Sequence, residues 1–183
     1  MKPLHWIAIA VLGLLLGVLG GVVWRDLGPR LGTSLAIPEA LDRLPAFEYV
    51  DLAGQQRQSA EWNDKILVLN FWATWCPPCR TETPLFVDMQ REYQADNVQF
   101  VGIAVDDPEL VRVFADTYGI NYPILLGDLA AMEISRQLGN RFEALPHTVV
   151  VAPGGRVVFR HHGGLSREDL QPVLQNIIVE QKR

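Results

Sequence analysis

The sequence contains two cysteines, Cys76 and Cys79, set two residues apart in Trp75-Cys76-Pro77-Pro78-Cys79-Arg80. A pair at this spacing either closes a small disulfide or supplies half of a soft-metal site. A closed zinc site needs four thiolate or imidazole ligands, and the sequence offers no third cysteine and no histidine nearby. C-x-x-C between a strand pattern and a helix pattern therefore reads as a thiol-disulfide redox centre, whose electrons are carried by the Cys76-Cys79 disulfide itself without a cofactor. The alternative is an inert staple, although a bridge across so short a loop constrains the unfolded chain little.

The helix that follows assigns roles to the pair. With Cys76 at its N-terminus, unpaired backbone N–H groups and the positive end of the helix dipole favour the thiolate, which makes Cys76 the nucleophile. Pro77 and Pro78 suit a first turn that has no use for their missing N–H groups, and their fixed φ stiffens it. Cys79, one turn further in, is expected to be the more buried and protonated of the two, attacking the mixed disulfide as the resolving thiol.

These side chains need a strand to deliver them and a sheet to hold that strand. Ile66 to Trp72 is a continuous apolar run broken by Asn70, the pattern of a central strand buried on both faces. Before it, Phe47 to Leu52 and Gln55 to Gln58 read as a hairpin, with Ser59 capping a short helix through Trp62. After it, a helix runs to about Tyr93 with Pro84 kinking it, Val98 to Val105 is a strand, and Asp107-Pro108 opens a helix that Gly119 ends. Tyr122 to Leu126 forms a short strand, and Asp128 caps a helix to Leu138. Thr148 to Val151 and Arg156 to Arg160 pair around Pro153-Gly154-Gly155, and Ser166 caps a last helix over 167–181. The order predicts an α/β fold, a mixed central sheet with helices on both faces and an N-terminal β-hairpin extension.

This domain, residues 46–183, is roughly 140 residues long, the size of one core. Ahead of it, no residue from Trp6 to Trp24 carries a formal charge, and roughly nineteen residues at 1.5 Å per residue span about 28 Å, a bilayer's hydrocarbon thickness. Trp6 and Trp24 bracket the run as interfacial anchors, and no A-x-A-like cleavage site follows it. Residues 1–25 are thus expected to be an uncleaved transmembrane anchor helix, passing once through a membrane at 6–24. Residues 26–45, rich in Gly and Pro, are expected to be a tether, with room for a short helix around Glu39 to Leu44. The net charge of −5 and the lack of a basic run argue against nucleic acid as a partner.

Asn70 to Pro84, with its Trp-Cys-Pro-Pro-Cys core, followed by Leu145-Pro146 ahead of a hairpin, resembles the TlpA/ResA/CcmG-type membrane-anchored thioredoxin-like proteins. The resemblance implies a thioredoxin-like fold in the bacterial periplasm, anchored in the inner membrane. It also implies disulfide-bearing client proteins, apocytochrome c among the candidates, and recharging by a membrane electron donor of the DsbD/CcdA type. It makes Pro146 a cis proline whose neighbour Leu145 docks an extended client segment, with Trp75, Pro77, Pro78 and His147 as further client contacts. Trp75 is expected to shield the disulfide. Glu82 shares a helix face with Cys79 and becomes the candidate proton handler; a solvated first-turn carboxylate is the alternative. Thioredoxin itself carries an acid on the central strand where this chain has Asn70. Two features depart from the family: His147 stands where many relatives have threonine, and the CcmG-type Gly-x-x-Gly-Ala-Pro-Glu run is not reproduced by residues 139–146.

His161-His162 suggest a metal, but adjacent strand residues face opposite ways, and a polar strand end accounts for them. Three other readings compete with a reductase. The same fold run as a disulfide-donating oxidase differs only in the relative stability of dithiol and disulfide. A non-catalytic, membrane-tethered binding module would use the Pro146 groove alone, and a peroxidase would need a separate peroxidatic cysteine that the earlier helix region lacks.

Overall fold

In the computed structural model, which describes Gly21 and residues 40–182, β1 (Glu48–Asp51) and β2 (Gln56–Gln58) form a hairpin, and a 3-10 turn, Ser59–Trp62, leads to β3 (Ile66–Trp72). There follow α1 (Pro77–Tyr93), β4 (Val98–Ala104), α2 (Pro108–Tyr118), β5 (Ile124–Leu126), α3 (Leu129–Gln137), the hairpin β6 (His147–Ala152) and β7 (Arg156–His162), and α4 (Arg167–Gln181). The sheet order is β2-β1-β5-β4-β3-β6-β7. β3, β4 and β5 run parallel through the crossovers α1 and α2, and the outer pairings are antiparallel. The expected mixed sheet and its hairpin extension are present. The expected anchor at 6–24, Gly21 apart, and most of the expected tether lie outside the described residues, among which no helix is long and apolar enough to cross a membrane.

All seven residues of β3 are buried. Because a strand alternates its side chains, Ile66 and Val68 face a layer made by Phe86 and Met89 of α1 and by Leu170 and Leu174 of α4. Leu67, Leu69 and Phe71 face the opposite layer, with Ala131 and Leu138 of the α3 region and Trp62. Asn70 therefore falls on the α1 side and Phe71 on the α3 side, and this parity decides what each one meets. At the end of the strand Trp72 packs on Phe114 of α2, ring centroids 4.8 Å apart, in a third cluster that contains both cysteines.

Two local expectations change. Gln58, rather than Ser59, precedes the turn at Ser59–Trp62: its N–H donates to Glu61 Oε1 at 2.7 Å, while Ser59 Oγ is taken up by the Phe47 N–H at 3.2 Å. No helix forms over 40–44, because the Leu41 N–H donates to Gln137 O and the Leu44 N–H to Gly155 O. Residues 41–44 thus bond to the body of the domain, which begins before residue 46. As expected, α1 continues to Tyr93 with Pro84 inside it.

Gly102 of β4 lies beneath the Trp72 indole: a Cβ there would stand 2.7 Å from Trp72 Nε1. With Trp72 only 3% exposed, the ring has nowhere to go. Gly102→Ala is expected to destabilise the protein by about 1–3 kcal/mol, read as a lower urea midpoint at unchanged slope; an unchanged midpoint would show that the indole relocates freely.

Candidate active site

β3 ends at Trp72, and the turn that follows is pinned before it reaches the cysteines. The Val105 N–H donates to Trp72 O at 2.9 Å and the Cys76 N–H to Ala73 O at 3.3 Å. Asp106 Oδ2 accepts from the Thr74 N–H at 2.9 Å and from the Thr74 hydroxyl at 2.5 Å. Sequence reasoning missed this clamp; the adjacent acids Asp106-Asp107 were a visible signal, but Asp107 alone was assigned a role, as helix cap. Cys76 then caps α1 with extended backbone, φ −83° and ψ 112°, and Pro77 and Pro78 occupy the first turn. The two sulfurs are joined in a disulfide, with the Cα atoms 5.3 Å apart. Cys76 Sγ accepts from the Cys79 N–H at 3.4 Å. The expected difference in burial is absent, since Cys76 is 2% and Cys79 1% exposed. What separates them is position: Cys76 sits on the cap, facing the helix amides, and Cys79 sits inside the first turn.

Glu82, one turn beyond Cys79, is 4% exposed, which rules out the solvated first-turn carboxylate. Its position follows from the parity of β3. Asn70 faces α1 and donates through Nδ2 to Glu82 Oε1 at 3.1 Å and to Thr148 Oγ1 at 3.0 Å, Thr148 being its neighbour in register on β6. Glu82 Oε2 accepts from the Leu165 N–H at 2.9 Å. Burial pushes the Glu82 carboxyl up to about 7, against the smaller lowering effects of the Leu165 and Asn70 hydrogen bonds. Glu82 in turn adds its field to the burial that raises the Tyr122 phenol. A groove of about 320 Å³ between Pro78, Leu85 and Leu165 reaches Glu82 from outside. Gly164 also lines this groove, and a Cβ there would stand 3.3 Å from Pro78 Cβ, which leaves little space for a side chain at that position. A wider groove of about 430 Å³, near Arg57 and Arg112, contains none of the expected site residues.

Across the turn, the Leu145-Pro146 peptide is cis, and Leu145 packs against the cluster holding the two cysteines. Pro146 O accepts from the Gly163 N–H at 2.9 Å, tying this loop to the end of β7. Trp75 is 65% exposed, an indole open to solvent at the rim, with Pro77 and Pro78 exposed beside it. His147 is the correction. Expected as a client contact, it is 0% exposed, because as the partner of Phe71 in the β3–β6 register it faces the α3 side. Its ring lies between Phe71 and His162, at 5.8 Å and 4.7 Å, and Nδ1 is 3.0 Å from Ser135 Oγ. Burial, then the charges of His162, Arg160 and His161, push its pKa down to about 3, so the ring is neutral.

A disulfide capping a helix, a buried carboxyl one turn below it and a cis proline beside it define a thioredoxin-like thiol-disulfide exchange site. Residues 40–160 match the AhpC/TSA family, and the chain belongs to it. It is 27% identical over 176 residues to the thiol-disulfide oxidoreductase ResA of Halalkalibacterium halodurans, covering 96% of each chain. It is 29% identical over 173 residues to the thioredoxin-like protein YneN of Bacillus subtilis, covering 92% of this chain and 96% of that protein. Among solved structures, a thiol:disulfide interchange protein of the thioredoxin family from Chlorobium tepidum superposes with a TM-score of 0.69 at 29% identity, over 76% of this chain and 99% of that one. The activity class is accordingly that of a thiol-disulfide oxidoreductase of the ResA/DsbE type.

The raised Glu82 carboxyl has a signed consequence. The folded protein keeps this proton up to about pH 7, whereas the unfolded chain releases it near the ordinary value of 4.5. The folded state therefore binds more protons between those values, and stability falls as pH rises from about 4.5 to about 7, levelling off above. The loss amounts to about 3 kcal/mol. Gln at position 82 has no proton to lose, and an amide flip of Asn70 would give it an acceptor. Urea unfolding of the oxidised protein from pH 4.5 to 8 is expected to show this slope in wild type and its absence in Glu82→Gln; parallel profiles would place the Glu82 pKa at its ordinary value.

Proposed function

We propose that the protein is a reductase of client disulfides, held in the bacterial inner membrane by residues 6–24 with its thioredoxin-like domain in the periplasm. The observation that carries the direction is the weak support given to the Cys76 sulfur. Pro77 and Pro78 have no N–H to offer it, the bond it does receive spans 3.4 Å, and the side chain is 2% exposed. A strong oxidant owes its potential to a stabilised reduced form. Burial of Cys76 works against its thiolate and so favours a reducing couple.

In the reduced enzyme, the Cys76 thiolate attacks one sulfur of a client disulfide, forming a mixed disulfide and releasing the other client sulfur as a thiolate. Cys79 passes its proton to the Glu82 carboxylate and attacks Cys76 Sγ, which re-forms the Cys76–Cys79 bond and releases the second client thiolate. The client gains two electrons and, from water and Glu82, two protons; the enzyme loses two electrons. A membrane dithiol donor of the DsbD/CcdA type returns them, so the pair itself is the redox group and no cofactor takes part. Leu145 and Pro146 line up an extended client segment by its backbone, while Trp75, Pro77 and Pro78 supply the exposed rim. Apocytochrome c disulfides are clients of the right chemistry, among other periplasmic disulfides.

The reduction potential of the Cys76–Cys79 couple tests the direction: a value near thioredoxin's, about −270 mV, is expected, and one near DsbA's, about −120 mV, would make the protein a disulfide donor. Cys76→Ser is expected to abolish reduction of a protein disulfide, and Cys79→Ala to halt at a mixed disulfide that a non-reducing gel displays. Full biological activity retained by Cys76→Ser despite that loss would leave only a binding role.

A further inference from the structure

Among the described residues, three polar side chains that the exchange reaction does not use, Ser135, Asn140 and His147, are each 0% exposed and are bonded to one another. Ser135 lies near the end of α3. Its Oγ accepts from Asn140 Nδ2 at 2.9 Å and stands 3.0 Å from His147 Nδ1. Asn140 also holds both backbone polar groups of Ala144: its Nδ2 donates to Ala144 O at 2.8 Å and its Oδ1 accepts from the Ala144 N–H at 3.1 Å. The turn so closed includes Glu143 at φ +51°, left-handed backbone that a residue with a Cβ adopts at a cost.

Leu145 and Pro146 are thus held from both ends. Asn140 grips the residue before them, His147 is the residue after them, and both grips converge on the Ser135 hydroxyl. His147 also carries a cost: its Nε2 is buried without a partner. A wholly apolar residue at 147 would avoid that penalty. A penalty retained next to a docking loop, on a side chain that no client reaches, points to positioning.

We propose that the Ser135–Asn140–His147 network is a positioning device that fixes the Leu145–Pro146 edge in the register a client backbone requires, an inference that rests on the docking role given to that edge above. The three residues touch neither sulfur nor client. They set affinity for extended protein substrates and leave the intrinsic reactivity of Cys76 alone. Small disulfides, which need no backbone docking, do not sense them.

The test compares the full-length chain with Asn140→Ala on two substrates: insulin, a protein disulfide, and DTNB, a small aromatic one. Asn140→Ala is expected to raise KM for insulin about tenfold, since displacements of an ångström carry effects of this order or larger, with kcat and the DTNB rate within about twofold of wild type. An unchanged KM overturns the proposal, as does a parallel fall in both substrates, which would mark general damage. If Asn140→Ala fails to fold, Ser135→Ala is read in the same way; it removes the shared hydroxyl and leaves the bonds from Asn140 to Ala144 in place. Failure of both variants to fold would make the network a stabilising element only and overturn the positioning role. A wild-type chain that reacts with DTNB but leaves insulin intact would refute the client-reductase reading itself, a result distinguishable because it needs no variant.

Discussion

The alternation of side chains along β3 is the constraint on which the rest depends. Buried on both faces, the strand has no solvent side on which to place a polar group at no cost. Its one polar residue, Asn70, must find partners, and parity sends it toward α1, where Glu82 and Thr148 meet its amide. Phe71, next in line, is sent the other way and meets His147. A slip of one residue would exchange these neighbours, leaving Glu82 against a phenyl ring and the amide facing an imidazole. The strand's register therefore sets the chemistry on both sides of the disulfide at once.

Glu82 shows how few contacts are needed to tune a group once burial is in place. Two neutral donors, from Asn70 and Leu165, stabilise the charged carboxylate, yet desolvation outweighs them. A cation there would have driven the carboxyl down and made it useless as a proton acceptor near neutrality. An amide on the central strand, where thioredoxin has an acid, leaves the carboxylate on the helix as the sole acid of that pair.

Much of this was legible in the sequence because its signals are local. The paired cysteines, the apolar run of β3, the caps at Asp107, Asp128 and Ser166, and the proline ahead of β6 each declare themselves within a few residues. The parts that were not legible join segments far apart in the chain. His147 looks like a client contact in sequence because it follows Pro146; it becomes a core residue only once the β3–β6 register is known. Asn140 follows a glycine and reads as ordinary turn chemistry, with nothing to connect it to Ser135 and Ala144. The equal burial of the two cysteines depends on Phe114 and Leu145, residues that only the folded sheet brings near.

The lead-in at residues 41–44 has a consequence for solubility. β7 is an outermost strand of the sheet, and an open strand edge is a template on which a second chain can add itself. Here Val157 donates to Asp42 O, Leu44 donates to Gly155 O, and Arg43 bridges to Arg156, so the chain entering the domain covers the start of that edge. Arg160 extends the cover by reaching Leu41 O at 2.6 Å. The segment that leads into the domain thus doubles as an edge guard, and a protein trimmed to begin at residue 46 would gain an adhesive strand.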